Sequence, residues 1–234
     1  MKKYTRLYIQ QNLSQGLNIE LNRQQSHYIS NVIHLVKHNY ILLFNGQDGE
    51  WLGEIIHISS HKLVSISLKH NTQPQYEEKK IYLYCAIVKN TALNNIVRQA
   101  TEMGVTSIQF LWTERTIMKT LNLNRIISQV IAASAQSGRM SIPNIYSPID
   151  FYDLHDHHNR YFYLCDYTMS CLDIKTEIQY NKNIAIIIGP EGGFSSSELS
   201  FASKFCQKLN LGRRILRVDT AVIAALSLVN YEYI

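Results

Sequence analysis

Gly189-Pro190-Glu191-Gly192-Gly193 stands out in this 234-residue chain for the chemistry it could do. Three glycines and a proline around one carboxylate present bare backbone amides and carbonyls, because glycine permits close approach and positive φ. The loop follows the apolar run IAIII and runs into Ser195-Ser196-Ser197-Glu198, a capping box with Ser195 as N-cap and Glu198 at N3. Ligands of open α/β sheets sit at such carboxyl ends of strands, and a plain turn needs fewer glycines. A second group, Arg213, Arg214 and Arg217, lies in LNLGRRILRVDTAVIAAL, where Asp219 or Thr220 can cap the last helix. On its own this segment reads equally well as a basic surface loop.

Several chemistries are excluded. The sequence has no GxxxxGK[ST], no GxGxxG after its first strand, no HExxH and no GxSxG, which argues against phosphate-loop, dinucleotide, metalloprotease and serine-hydrolase sites. No metal is expected. Cys85, Cys165, Cys171 and Cys206 show no CxxC spacing and read as buried, reduced thiols. Lys plus Arg total 23 against 18 Asp plus Glu, an excess that permits a polyanionic partner without requiring one. The N-terminal MKKYTRLYIQQNLSQG lacks the apolar core of a secretory signal. The apolar AVIAALSLV is far shorter than the roughly 20 residues that span a bilayer. A cytoplasmic protein with no membrane partner is expected.

Two regimes of pattern must position these residues. Residues 1–73 read as short strands (LYIQ, YILLF, EWLGEII, LVSISLKH), with FNGQDGEWL as a hairpin, which suggests a small β-barrel. NTQPQYEEKK is the linker candidate. Residues 74–234 alternate unbroken apolar strands (IYLYCAIV, SIQFLW, YFYLCDY, IAIII) with helical patterns (NTALNNIVRQATEMGV, NRIISQVIAASAQSGR, AVIAALSLVNYEY). That rhythm predicts an α/β domain with a mainly parallel sheet covered on both faces.

Taken together, IGPEGGFS-x-x-E and the later LG-x-R-I-L-R-x-D-T-A resemble the SPOUT methyltransferases, specifically the RsmE family of ribosomal small-subunit RNA (uracil-N3) methyltransferases. The resemblance extends over nearly the whole chain. TRLYI, HYISNVIHLVKHNYILLFNGQDGEW, AIVKN, TEMGV and AQSGRMSIP all match family elements. It implies a PUA-like β-barrel followed by an α/β trefoil-knot domain, a homodimer through the C-terminal domain, and S-adenosylmethionine (SAM) as cofactor with S-adenosylhomocysteine as product. The implied substrate is a uridine of 16S ribosomal RNA, free or in the assembled subunit.

The resemblance also implies site residues. Leu164, Cys165, Ile188, Gly189, Pro190, Gly192, Gly193, Leu211, Gly212, Ile215, Leu216, Thr220 and Ala221 would hold the cofactor. Arg217 would stabilise the uracil anion, with Glu191 or Asp219 as base or as a support for Arg217. Arg6, Lys89, Arg115 and Arg139 are candidate RNA contacts. The chain departs from the family in carrying His34 for Arg, Gln99 for Lys and Asp219 for Glu. Alternatives are methylation of another RNA or of a ribose 2′-OH, and a non-catalytic RNA-binding assembly factor.

Overall fold

A computed structural model describes residues 4–118, 120–154, 159–166 and 183–231. Cys171 lies outside the described residues. The chain divides into two compact units, residues 1–77 with 134–141, and residues 78–133 with 142–234. The sequence reading set a single boundary at 73/74; residues 134–141 are an additional part of the first unit.

The first unit is built on a five-stranded mixed sheet. Its strands are β1 (Arg6–Tyr8), β2 (Asn18–Glu20), β3 (Tyr40–Phe44), β4 (Glu50–Ile58) and β5 (Val64–Gln73), in the order β1-β3-β4-β5-β2. The expected hairpin is β3–β4, antiparallel with Leu42 opposite Leu52. Alternate residues turn inward, so Ile41, Leu43, Ile55, Val64, Ile66 and Leu68 form a core with Ile19 and Ile29. Between β2 and β3 lie helix α1 (Arg23–His27), capped by Asn22 and Gln25, and one π-helical turn, Tyr28–Val32. The sequence reading had no helix here.

The second unit is built on a six-stranded sheet, parallel at every pairing. Its strands are β6 (Ile81–Ala86), β7 (Ser107–Trp112), β8 (Asn144–Asp150), β9 (Arg160–Cys165), β10 (Asn183–Ile188) and β11 (Cys206–Leu209), ordered β11-β9-β10-β6-β7-β8. Helices α2 (Asn90–Glu102), α3 (Leu123–Ser137), α4 (Ser196–Ala202) and α5 (Val218–Tyr231) connect or follow the strands. The central strands are apolar throughout because both faces are covered: Ile184, Ile186 and Ile188 join one core with α2 and α5, and Ala185 and Ile187 join the other with Phe162, Phe194 and Ala202.

Two local expectations meet different outcomes. Ser195 and Glu198 form both halves of the capping box of α4. Asp219 and Thr220 do not cap α5. The helix starts at Val218, so both lie inside its first turn, where Asp219 Oδ1 accepts from the Thr220 amide at 3.0 Å. The apolar character of α5 is accounted for within the unit, since Val222, Ala225, Leu226 and Val229 are buried in the core.

Candidate functional site

Four chain segments converge at the carboxyl ends of β9 and β10: the ends of those strands, the loop 189–195 and the loop 210–217. They enclose a cavity of about 290 Å³. Of the residues singled out in the sequence, Cys165, Ile188, Gly189, Pro190, Glu191, Gly193, Leu211, Gly212, Ile215, Leu216, Arg217 and Ala221 line it. Arg214, singled out in the arginine cluster but not as a cofactor contact, lines it as well, and so do Asp166, Phe194 and Val218, which were not singled out. The signals for two of them were present: Phe194 ends the glycine motif, and Asp166 directly follows a strand that ends at the site.

Leu164, Gly192, Asp219 and Thr220 do not line the cavity. Successive strand side chains face opposite ways, so Cys165 reaches the site while Leu164 is buried in the core on the other face. Asp219 Oδ2 instead accepts from Asn95 Nδ2 at 3.1 Å. That places the carboxylate on α2 and not under Arg217, so the expected support of Arg217 by Asp219 is absent.

The three glycines have three separate reasons. A Cβ on Gly189 would meet the Phe194 ring at 2.9 Å, and Phe194 is itself packed on Phe151 with ring centroids 5.2 Å apart. A Cβ on Gly192 would meet the Arg115 side chain at 3.3 Å, so the bare backbone there accommodates a neighbour and not a ligand. Gly193 alone needs left-handed backbone, with φ of +70°, and its Cβ position is open space.

The cavity walls are apolar at Ile188, Phe194, Leu216, Val218 and Ala221, with charge from Asp166, Glu191, Arg214 and Arg217. Arg217 is exposed, and its guanidinium has no hydrogen-bond or ion-pair partner among the described residues. Burial pushes the Cys85 thiol up to about 12, with the Glu191 carboxylate adding to the shift, and burial pushes Cys165 higher still.

The candidate RNA contacts separate sharply. Arg6 donates from Nε to Glu50 Oε2 at 2.5 Å, from Nη1 to the carbonyls of Ser134 and Ala135 at 2.9 and 3.1 Å, and from Nη2 to the Arg139 carbonyl at 2.9 Å. Its guanidinium also lies 4.5 Å from the centre of the Phe44 ring. Four of five donors are therefore engaged, which makes Arg6 a structural clasp in place of a phosphate contact. Arg139 is 7% exposed and bonds Ser141 Oγ at 3.2 Å, so it too is internal. Arg115 is exposed, yet its Nη1 donates to the Gly192 carbonyl at 2.6 Å. Lys89 is exposed at the N-terminal end of α2 and makes no side-chain cap. Among the described residues no group of acidic, His and Cys side chains could hold a metal, and no helix is long and apolar enough to cross a membrane.

Comparison with known proteins places the chain in a family. Residues 75–230 match the family model of the RNA methyltransferase domain. The chain is 34% identical over 232 residues to ribosomal RNA small subunit methyltransferase E of Rickettsia conorii, covering 96% of this chain and 94% of that protein. It is 30% identical to the protein of the same name from Synechocystis, over 91% and 72% of the two chains. The crystal structure of a ribosomal RNA small subunit methyltransferase E from Neisseria gonorrhoeae bound to S-adenosyl methionine superposes with a TM-score of 0.89 at 25% identity, covering 98% of both chains. A Legionella pneumophila protein solved with SAM bound gives a TM-score of 0.89 at 27% identity.

Proposed function

The chain belongs to the ribosomal RNA small subunit methyltransferase E family, and from that premise we propose that it methylates N3 of a specific uridine in small-subunit rRNA with SAM. The observation that carries the reading is the two-loop cavity at the strand ends, with bare glycine on one wall and an unpartnered arginine on the other. The residues fit the cofactor. Gly193 and Gly212 both line the cavity, and nothing lies within 4 Å of where a Cβ would stand on either. Apolar side chains flank that space, and its volume is near the lower end of the range for small-molecule sites.

Bound there, SAM would supply a methyl on a sulfonium for in-line transfer to nitrogen. The protein's own part is positioning and charge. Backbone of Gly189, Gly193, Leu211 and Gly212, with Ile188, Leu216 and Ala221, holds the cofactor. N3 of uracil is nucleophilic only as the anion, so its proton must be removed while negative charge builds on O2 and O4. Arg217 has free donors for that charge. Glu191 lines the cavity and Asp219 does not, which supports Glu191 over Asp219 as the group that removes the proton.

In the same reading the first unit is a PUA-like barrel that contacts RNA, and the second is a trefoil-knot domain that dimerises and works in the cytoplasm. The resemblance of the motifs supports this, and the two superpositions support the shared fold that it presumes. Phosphate contacts fall to exposed cations such as Lys89, Arg213 and Arg214. Mass spectrometry of small-subunit rRNA from cells with and without the protein tests the activity. Loss of one 3-methyluridine is expected; unchanged 3-methyluridine, or a methyl lost from ribose, would overturn it.

A further inference from the structure

The glycine loop is gripped by a turn from a different strand. Residues 113–116, just after β7, close on themselves: the Thr116 amide donates to the Thr113 carbonyl at 3.0 Å, and the two hydroxyls lie 2.8 Å apart. Arg115 reaches from this turn to the Gly192 carbonyl at 2.6 Å, and its methylenes fill the space a side chain on Gly192 would need. Six residues on, Glu198 is fully buried. Its Oε2 accepts from the Ser195 amide at 2.7 Å, and its Oε1 accepts from the Glu114 amide at 2.9 Å. The Glu114 carboxylate is in turn held by the Tyr152 hydroxyl at 2.8 Å.

A capping box needs only the first of the two Glu198 bonds. The second ties α4 to the turn. The two ties from the turn fall at Gly192 and at Glu198, and Glu198 in turn holds the Ser195 amide, so the held positions 192 and 195 flank Gly193 and Phe194, both of which line the cavity. We propose that the turn 113–116 is a brace that holds the glycine loop in its ligand-ready form, with Arg115 and Glu198 as positioning residues for SAM. The proposal rests on the SAM reading of this cavity. A loop ordered before binding loses less freedom when the ligand arrives, so the brace raises affinity without touching the ligand.

The test is Arg115→Met, which keeps the aliphatic stem and removes the guanidinium from an exposed position. Calorimetric titration with SAM, without RNA, is expected to show a Kd about tenfold or more above wild type. Hydrogen exchange in the ligand-free protein should accelerate at the amides of residues 192–195 and not across β6 or β10. Glu198→Gln should give the same local pattern, because its amide turns a donor toward one of the two backbone N–H groups. Unchanged exchange at 192–195 in Arg115→Met would overturn the brace, as would a SAM Kd equal to wild type. A wild-type protein that binds no SAM would sink the cofactor reading instead, and the exchange measurement would then decide the brace alone.

Discussion

Arg6 in the first unit commits its guanidinium to four oxygens of its own chain, whereas Arg213, Arg214 and Arg217 in the second commit theirs to none among the described residues. The setting explains the contrast. Arg6 sits on β1 and reaches past β3 to Glu50 on β4, which is itself 9% exposed and also bonded by the Thr72 hydroxyl at 2.9 Å. A buried carboxylate demands a charged partner, and a planar fork of donors meets several acceptors at once. The loop 210–217 shares its cavity with the carboxylates of Asp166 and Glu191, yet among the described residues none is bonded to Arg213, Arg214 or Arg217. Within the loop the Gly212 amide donates to Asn210 Oδ1 at 2.7 Å, and the Arg217 carbonyl accepts from the Ala221 amide in the first turn of α5. One arginine fastens the fold; the others stay available to something outside the chain.

Four variants probe this contrast, in descending order of effect. Arg6→Ala strands the buried Glu50 carboxylate and frees three carbonyls, so a loss of about 3–5 kcal/mol in unfolding free energy is expected. Chemical denaturation measures it; a loss under about 1 kcal/mol would place Arg6 with the free arginines. Arg217→Ala should lower kcat by on the order of 100-fold, equivalent to about 2.7 kcal/mol, with melting temperature unmoved. A melting shift that parallels the rate loss would show instead that Arg217 holds the loop. Arg213→Gln with Arg214→Gln should leave stability alone and reduce the salt slope of RNA binding by about 0.7–0.9 per phosphate contact removed. An unchanged slope would take both off the RNA surface. Asp219→Asn should do least, within about 0.5 kcal/mol in stability and near wild-type rate, because its contacts lie with Asn95 and the Thr220 amide. A rate loss as large as that of Arg217→Ala would restore Asp219 as the base.

What the sequence made legible follows from how local each signal is. The capping box of Ser195 and Glu198 spans three residues, and the apolar β6, β7, β9 and β10 announce burial on both faces by composition alone. β8 and β11 escaped because they are the edges of the second sheet. An edge strand lacks one neighbour, so β8 carries Pro148 and β11 exposes Gln207 and Lys208, and neither reads as a buried strand. The candidate site was legible where motif and strand end coincide, at residues 188–193 and 211–217. Its second layer was not. Arg115 and Gly192 are 77 residues apart, and Asn95 and Asp219 are 124 apart, so no spacing in the chain could join them.

The same separation bears on how the molecule is made. The carbonyls that Arg6 binds belong to residues 128 to 133 positions further along the chain. At a synthesis rate of about 5–20 residues per second, Arg6 leaves the ribosome on the order of ten seconds before its acceptors exist. In that interval Arg6 has Glu50 but none of its three carbonyl acceptors, and the first unit lacks residues 134–141. The intervening stretch 78–133, which contains β6, α2 and β7, emerges meanwhile and belongs to the other unit. Long-range closure of this kind slows folding, because the loop entropy is lost before the contacts form. The first part of the chain to be synthesised therefore cannot be completed until well over half of it has been translated.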